Sequence, residues 1–205
     1  MDESEKTTEQ IILEAAKKVF LTKGLSGARM QEIADEARIN KALLHYYFRS
    51  KDKLFDAIFE EAFRHFIPQV SGMLNHEMPL AEKIWTFVSS YSDMLLNHPH
   101  IPIFIMNELH RQPDRLIQLI EGSGIQPELF LGQIAEEVRA GNIRPIDPRQ
   151  LIVNMISLCV FPFAGRPIIQ HILFRGDEAA YATFLQERKT EVTLFIMNAL
   201  KPAQS

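Results

Sequence analysis

The sequence has a single cysteine, no long hydrophobic run and no apolar leader, and each absence excludes a class of protein. Cys159 has no second cysteine to pair with, so an internal disulfide and a structural zinc site built on thiolates are excluded. The most apolar stretch, residues 155–164, is about half the roughly 20 residues that a membrane span needs. Residues 1–6 are acidic and polar, unlike a secretory signal. We therefore expect a cytoplasmic protein without a membrane segment.

Charge of neither sign dominates the chain, because 22 Lys and Arg oppose 26 Asp and Glu, which gives a net charge of −4. This balance excludes a protein that coats nucleic acid indiscriminately. The charges are nevertheless unevenly distributed. Residues 15–53 contain nine basic and four acidic side chains, a local net charge of +5, which leaves −9 for the remaining residues. The pattern predicts a small basic module with an anion-binding face, joined to a larger acidic body.

Hydrophobic residues recur every three to four positions in almost every segment, and no alternating run typical of a strand is present. The sequence therefore predicts an all-α protein with about nine helices. Thr7, Asn40 and Ser50 have the spacing of N-caps. Because Pro68 lacks an N–H, it must kink or end the helix that contains it. After a first helix that ends near Lys23-Gly24, helices are predicted at about 29–37, 40–48, 50–68, 80–96, 103–110, 127–140, 148–161 and 178–200.

The most informative stretch runs from Met30 to Phe48 and contains two short helices with only a few residues between them. Their apolar residues face each other, and Ala34 is small enough to let the helices approach closely. A short connection of this kind presents the second helix to the major groove of DNA, which is about 12 Å wide and admits one helix. The exposed face of the second helix is therefore predicted to contact the bases.

This stretch resembles the helix-turn-helix of the TetR family of bacterial transcriptional regulators. The matching residues are Ile33, Ala34, Ala37, Leu44, Tyr47, Phe48, Lys51 and Leu54. Arg38, Asn40, Ala42 and His45 replace the family's usual glycine, serine, glycine and tyrosine. Asparagine caps a helix as well as serine does, and a non-glycine residue at a left-handed turn position costs on the order of 1 kcal/mol. The departures therefore leave the predicted fold intact. The resemblance covers about residues 8–60.

The resemblance implies a helix-turn-helix DNA-binding domain over residues 1–50 and a helical ligand-binding and dimerisation domain over residues 51–205. It assigns DNA binding to Arg29, Gln31, Lys41, Ala42, His45, Tyr46, Tyr47 and Lys51. Lys41 can reach a guanine or a phosphate, Ala42 can meet a thymine methyl, and tyrosine hydroxyls can donate to phosphate. Two alternatives remain open at this point: Tyr46 and Tyr47 could be core rings, and the basic residues could be solvated charges.

The remaining chain is rich in aromatic and methionine side chains, which form adaptable walls for small molecules. The resemblance implies a ligand cavity among the middle helices, for which the candidate residues are Trp85, Tyr91, Phe104, Asn107, His110, Phe130, Met155 and Cys159. An ordinary hydrophobic core is the alternative for each of them. The last two predicted helices are apolar on more than one face, which predicts a homodimer formed through them.

Together these features predict a dimeric repressor that binds a near-palindromic operator and is released by a hydrophobic or amphipathic small molecule. A DNA-binding regulator or activator without an effector is the alternative. An enzyme is not expected, and neither a cofactor nor a metal is predicted, because His98, His100 and His110 lack the helical i, i+4 spacing of a zinc site even with Asp93 or Glu108 added. Cys159 lies in an apolar segment that would raise its pKa, so a buried, unreactive thiol is expected.

Overall fold

The computed structural model describes residues 7–64, 66–110 and 113–202, and these residues form twelve α-helices and no strand. The all-α prediction is confirmed, whereas the predicted number of about nine helices is wrong. Residues 1–6 of the predicted DNA-binding domain lie outside the described residues. The helices are α1 (Thr8–Gly27), α2 (Met30–Glu36), α3 (Lys41–Tyr47), α4 (Lys51–Phe63), α5 (Phe66–Asn75), α6 (Leu80–Asn97), α7 (Ile101–Leu109), α8 (Pro113–Glu121), α9 (Pro127–Arg139), α10 (Pro148–Ala164), α11 (Arg166–Phe174) and α12 (Glu178–Leu200).

The three helices absent from the prediction, α5, α8 and α11, each have a proline in the first turn: Pro68, Pro113 and Pro167. The first N–H groups of a helix have no intrahelical acceptor, so a proline there loses no hydrogen bond. A proline can therefore lie in the first turn of a new helix instead of ending the one before it. The predicted helix from residue 50 to 68 is accordingly two helices, and Pro68 lies in α5 instead of kinking α4.

The chain divides into two compact units, one formed by Met1–Arg64 with Ile103–Leu116 and the other by His65–Pro102 with Ile117–Ser205. In the first unit, the predicted caps are confirmed. The Thr7 hydroxyl accepts from the Gln10 N–H at 3.3 Å, and the Gln10 side chain accepts from the Thr7 N–H at 2.9 Å. Asn40 caps α3, and Ser50 caps α4. The core of this unit includes Ile12, Ala16, Phe20, Ile33, Ala34, Leu44, Leu54 and Ile58, all buried.

Phe104 of α7 belongs to the core of the first unit. Its ring stacks on Phe55 of α4 with the centroids 4.5 Å apart, and it lies 5.6 Å from the ring of Phe20 in α1. Phe104 is only 4% exposed. Helix α7, which begins at Ile101, well after the end of α4 at Phe63, thus supplies one of the aromatic side chains that hold α1 and α4 together.

In the second unit, α6 packs against α5, α10 and α12. Its buried face carries Ile84, Val88 and Leu95, and it meets Met155 and Cys159 of α10, which are also buried. An ion pair between Lys189 and Asp93 joins α12 to α6. The Gln133 side-chain amide donates to the Met78 carbonyl at 2.9 Å and ties α9 to the segment before α6.

A sharp corner separates α10 from α11, whose axes differ by 74°. Pro162 has no N–H for the Leu158 carbonyl, which instead accepts a hydrogen bond from Arg188 Nη2 of α12 at 2.8 Å. The Tyr181 hydroxyl of α12 donates to the Pro162 carbonyl. Side chains of α12 therefore supply two donors at this corner. Among the described residues, no single helix is long and apolar enough to cross a membrane, although α10 and α11 would pass that test as a bent pair.

Cys159 is 3% exposed, and its burial raises the pKa of the thiol from the ordinary value of 9.0 to about 11. The expectation of a buried thiol with a raised pKa is confirmed. Burial likewise raises the pKa of the neighbouring Tyr91.

This shift predicts a loss of stability at alkaline pH. A thiol whose pKa is higher in the folded than in the unfolded protein stabilises the fold below about pH 9, and that contribution is lost as the pH rises towards 11. Between pH 8 and pH 10.5, the free energy of unfolding should fall by about 2 kcal/mol more in the wild type than in Cys159→Ala. Urea denaturation at both pH values measures the difference. An equal fall in the free energy of unfolding for the wild type and Cys159→Ala would contradict the raised pKa of Cys159.

Candidate nucleic-acid interface

The turn between α2 and α3 has a left-handed residue at the position where the sequence replaces glycine. Arg38 has φ +56°, and the chain on either side is fixed by bonds from the Ala37 N–H to Ile33 O at 2.9 Å and from the Ile39 N–H to Ala34 O at 3.0 Å. An L-residue in this conformation costs on the order of 1 kcal/mol, which the buried contacts of both helices offset. The helix-turn-helix therefore forms despite the missing glycine.

One face of α3 is anchored in the core and the other is open. Leu44 and Phe48 are buried, whereas the five predicted DNA-binding residues of this helix, Lys41, Ala42, His45, Tyr46 and Tyr47, are exposed. Tyr46 is 81% exposed, so the alternative that it is a core ring is wrong. Tyr47 is 40% exposed and meets Tyr46 edge to face with the ring centroids 5.5 Å apart. The two rings form an aromatic ridge with both hydroxyls available to an outside acceptor.

His45 is oriented by the end of its own helix. Its Nδ1 lies 3.3 Å from the Arg49 carbonyl, which can only accept, so Nδ1 carries the hydrogen in this contact. In the neutral ring, Nε2 is then an acceptor. An acceptor at this position can receive a hydrogen bond from the exocyclic amine of adenine or cytosine, both of which point into the major groove.

The remaining predicted DNA-binding residues, Arg29, Gln31 and Lys51, differ in how they are held. Arg29 is exposed at the start of α2. The Gln31 side-chain amide donates to Asp35 Oδ1 at 2.8 Å. Lys51 Nζ donates to the carbonyls of Ser26 at 2.9 Å and Ala28 at 3.4 Å, so it also fastens α4 to the end of α1. This structural contact of Lys51 spans 25 residues, and no local pattern in the sequence indicates it.

Ion pairs remove part of the basic charge that the sequence places in residues 15–53. Lys17, Lys18 and Lys23 pair with Glu61, Glu36 and Glu32 at 2.7, 2.9 and 2.8 Å. The hydrogen bond from Lys23 is the main reason that the pKa of Glu32 is lowered. Within the described part of the chain, Arg29, Arg38, Lys41 and Arg49 form no ion pair. The positive charge that remains available therefore lies on α3 and beside it.

The predicted ligand-binding residues are not brought together as one group. Tyr91, Phe130, Met155 and Cys159 are buried in the second unit, and Trp85 in the same unit is 45% exposed. Phe104 belongs to the core of the first unit, where Asn107 and His110 are exposed. Burial is compatible with an ordinary core as well as with a ligand site, so these assignments stay predictions.

The histidines considered as metal ligands are placed as follows. The rings of His98 and His100 lie 6.1 Å apart, and Asp93 is paired with Lys189. The His110 Nδ1 lies 2.7 Å from the Met106 carbonyl. The side chain of Glu108 is outside the described residues. In the part of the chain that the structure covers, no group of three His, Cys, Asp or Glu side chains could hold a metal ion.

A cavity of about 490 Å³ lies elsewhere in the second unit, between α10, α11 and α12. Its walls are mainly apolar, and its polar residues are Arg144, Asn154, Ser157 and Arg188. None of the eight predicted ligand-binding residues lines it. The last two predicted helices have an excess of apolar residues, which predicts a homodimer. The same excess could have indicated this cavity.

The same three helices carry an exposed apolar surface. We define the C-terminal apolar face by its side chains, each more than a third exposed: Val153, Ile156, Phe161, Ile168, Ile172, Leu173, Leu194 and Phe195. Met155, on α10 as well, is instead buried in the core. Helix α11, absent from the prediction, adds three of the eight side chains. Exposed apolar patches of this kind mark interaction sites.

Residues 12–58 match a family model described as bacterial regulatory proteins, tetR family. The HTH-type transcriptional repressor NicS of Pseudomonas putida is 25% identical to the chain over 191 residues, which cover 87% of each protein. Among solved structures, the TetR family transcriptional regulator PfmR from Thermus thermophilus superposes with a TM-score of 0.68 at 16% identity, covering 98% of this chain and 99% of PfmR. AibR, solved with isovaleryl coenzyme A and operator DNA, gives a TM-score of 0.57 at 20% identity, covering 77% of this chain and 86% of AibR.

Proposed function

Because the chain belongs to the TetR family of transcriptional regulators, we propose that it is a repressor that binds a near-palindromic operator as a homodimer. In this proposal a hydrophobic or amphipathic small molecule releases the operator. The alternative, a regulator or activator without an effector, would use the same helix-turn-helix. The two differ in whether any small molecule changes operator binding.

The observation that carries the proposal is the open face of α3. Leu44 and Phe48 anchor the helix in the core, while Lys41 and the aromatic ridge of Tyr46 and Tyr47 are left without a core role. A cation, an imidazole and two phenol hydroxyls on one exposed helix are the groups that contact bases and phosphates in a major groove. We assign DNA contacts to this face, to Arg29 and Gln31, and to Lys51 through its remaining N–H.

Homodimer formation through α10 and α12, with α11 added, is supported by the C-terminal apolar face. Its eight side chains stay exposed in one copy of the chain, and a second copy would cover them. In a two-fold dimer, the two copies of α3 would enter successive major grooves, which lie about 34–36 Å apart on DNA. The operator should then be an inverted repeat with half-sites about one helical turn apart.

Coupling between ligand and DNA can use the points at which the chain passes from one unit to the other, after Arg64, after Pro102 and after Leu116. Because Pro68 lies in the first turn of α5, a kink in α4 is not part of this mechanism. The binding of isovaleryl coenzyme A and operator DNA by AibR supports an effector for the present chain as well. A coupling free energy of about 1–3 kcal/mol would lower operator affinity about 5- to 150-fold.

Selection of binding sites from a random DNA library by the purified protein tests the proposal. We expect enrichment of an inverted repeat whose half-site centres lie about 10 base pairs apart, or a multiple of that spacing. The experiment needs one stated moderate salt concentration, because phosphate contacts make affinity strongly salt-dependent. Enrichment of no sequence, with only salt-sensitive binding, would contradict the proposed operator. The enriched sequence then serves as the probe for effector screens.

A further inference from the structure

We propose that the cavity between α10, α11 and α12 binds a hydrophobic monocarboxylate, with the carboxylate on Arg188 and the apolar body along the cavity walls. This site is separate from the residues that the sequence suggested for ligand binding. The binding itself requires no DNA, although its use as a regulatory signal rests on the proposed function.

The Arg188 side chain is partly buried, and its hydrogen-bond donors are incompletely used. It lines the cavity, its guanidinium lies over the Phe184 ring at 5.6 Å, and one N–H of Nη2 is used by the Leu158 carbonyl at 2.8 Å. Its Nε is buried and has no hydrogen-bond partner among the described residues. In the same part of the chain, no carboxylate lies within ion-pair distance of Arg188. Burial lowers the pKa of this guanidinium, and electrostatic interactions with Cys159, Tyr181 and Glu191 oppose that shift.

No described residue accepts a hydrogen bond from the buried Nε of Arg188, so an acceptor for it would come from a bound molecule. A guanidinium has five N–H donors, and the Leu158 carbonyl uses one of them. A buried donor without an acceptor is costly, and the Nε–H of Arg188 is such a donor. Asn154 and Ser157 line the same cavity and can add hydrogen bonds to a second carboxylate oxygen. The cavity thus combines a cation held by the Leu158 carbonyl with the neutral polar groups of Asn154 and Ser157 in mainly apolar walls.

The cations that line the cavity indicate which class of anion it can bind. Arg144 also lines the cavity, but it is exposed and its donors are directed to the Ala199 and Pro145 carbonyls. One guanidinium neutralises a singly charged group, and its planar fork matches a carboxylate. A phosphate monoester would bring nearly two charges to this single cation. A volume of about 490 Å³ lies within the range of sites that enclose small molecules, so an aliphatic or aromatic body fits behind the carboxylate.

The walls also explain why a second copy must be considered in the test. Phe161, Leu173 and Phe195 line the cavity and are also members of the C-terminal apolar face. A second copy packed on that face would close the cavity mouth over a bound ligand, or would fill the cavity with its own side chains. The carboxylate proposal requires the first of these arrangements.

Calorimetric titration of the full chain with decanoate and with 1-decanol, below their aggregation limits, tests the site. The two probes share the alkyl chain and differ in the charge of the head group. We expect the wild type to bind decanoate about 10- to 100-fold more tightly than 1-decanol, because hydrogen bonds to a charged group are worth more. Arg188→Leu should lose this preference by weakening decanoate alone. Arg188→Lys, which keeps the charge, should retain part of it.

Two further variants separate the site from general effects. Arg139→Leu removes an exposed arginine of α9 that is paired with Glu136, and it should bind both probes like the wild type. Ala199→Phe narrows the cavity and should weaken both probes together, which keeps the proposal testable if Arg188→Leu does not fold. Sedimentation equilibrium of each variant reports the state of assembly.

Absence of decanoate binding by the wild type would overturn the proposal, as would an unchanged decanoate preference in Arg188→Leu. Dissociation of a dimer by Arg188→Leu, with no decanoate binding by the wild type, would show that a second copy fills the cavity. The test is independent of DNA. A protein that selects an operator but binds no decanoate contradicts only this site, and one that binds decanoate but selects no DNA contradicts only the proposed repressor.

Discussion

The double variant Lys41→Ala/Tyr46→Ala is expected to bind the selected operator between about 30-fold and 10⁴-fold more weakly than the wild type, because each lost contact costs about 1–3 kcal/mol. Both side chains are exposed on α3, and Tyr46 is 81% exposed. Removing them leaves the core residues Leu44 and Phe48 in place, so the stability of the fold should change by no more than about 0.5 kcal/mol. Titration of labelled operator by fluorescence anisotropy measures the change.

Two controls make this result specific. Lys201→Ala removes the same charge from an exposed position after α12 and should leave operator affinity within about twofold of the wild type. Tyr46→Phe keeps the ring and removes only the hydroxyl, so it separates hydrogen bonding from stacking. Sedimentation equilibrium should give the same assembly for all four proteins. Retention of sequence-specific binding by the double variant would disprove that α3 is the recognition helix.

Replacing Phe104 by alanine is expected to lower the free energy of unfolding by about 3–5 kcal/mol, the usual cost of removing a buried phenylalanine. Phe104 is 4% exposed and stacks on Phe55, with Phe20 at its other side. The loss would therefore loosen the contact between α1 and α4 that supports the helix-turn-helix. Urea denaturation followed by circular dichroism measures the change.

The matched control lies on the same helix. Met106 is 48% exposed, and Met106→Ala should change the free energy of unfolding by no more than about 0.5 kcal/mol. Phe104→Leu should give an intermediate loss, because leucine fills part of the space. If Phe104→Ala were as stable as Met106→Ala, the stacking of Phe104 on Phe55 could not be a main source of stability for the first unit.

The exposed face of α3, to which we assign DNA contacts, could be predicted from the sequence because its signals are local. Asn40, the short turn and the apolar residues Ile33 and Leu44 all lie within 12 residues, so caps and periodicity fix which side of α3 is open. The same holds for the all-α fold and for the N-caps. The exposure of Tyr46 settled an alternative that the sequence alone left open.

What the sequence could not supply depends on contacts between distant residues. An aromatic residue in an apolar run, such as Phe104, suits either a core or a ligand cavity, and only the structure shows that its ring packs on Phe55. Lys51 Nζ donates to the carbonyl of Ser26, which lies 25 residues earlier in the sequence. The sequence predicts a kink or an end at Pro68, and only the backbone shows that Pro68, Pro113 and Pro167 lie in the first turns of additional helices.

The corner at Pro162 has a consequence for the order in which the chain folds. Every ordinary turn of a helix closes with a donor four residues away, but the Leu158 carbonyl takes its donor from Arg188, 30 residues further along the chain. The end of α10 therefore cannot be completed by local helix growth. A loop of this length must close, and α12 must dock, before the turn is finished. We expect this corner to form late. Substitution of the α12 residues that contact the corner should therefore change the rates of the slow steps in refolding most.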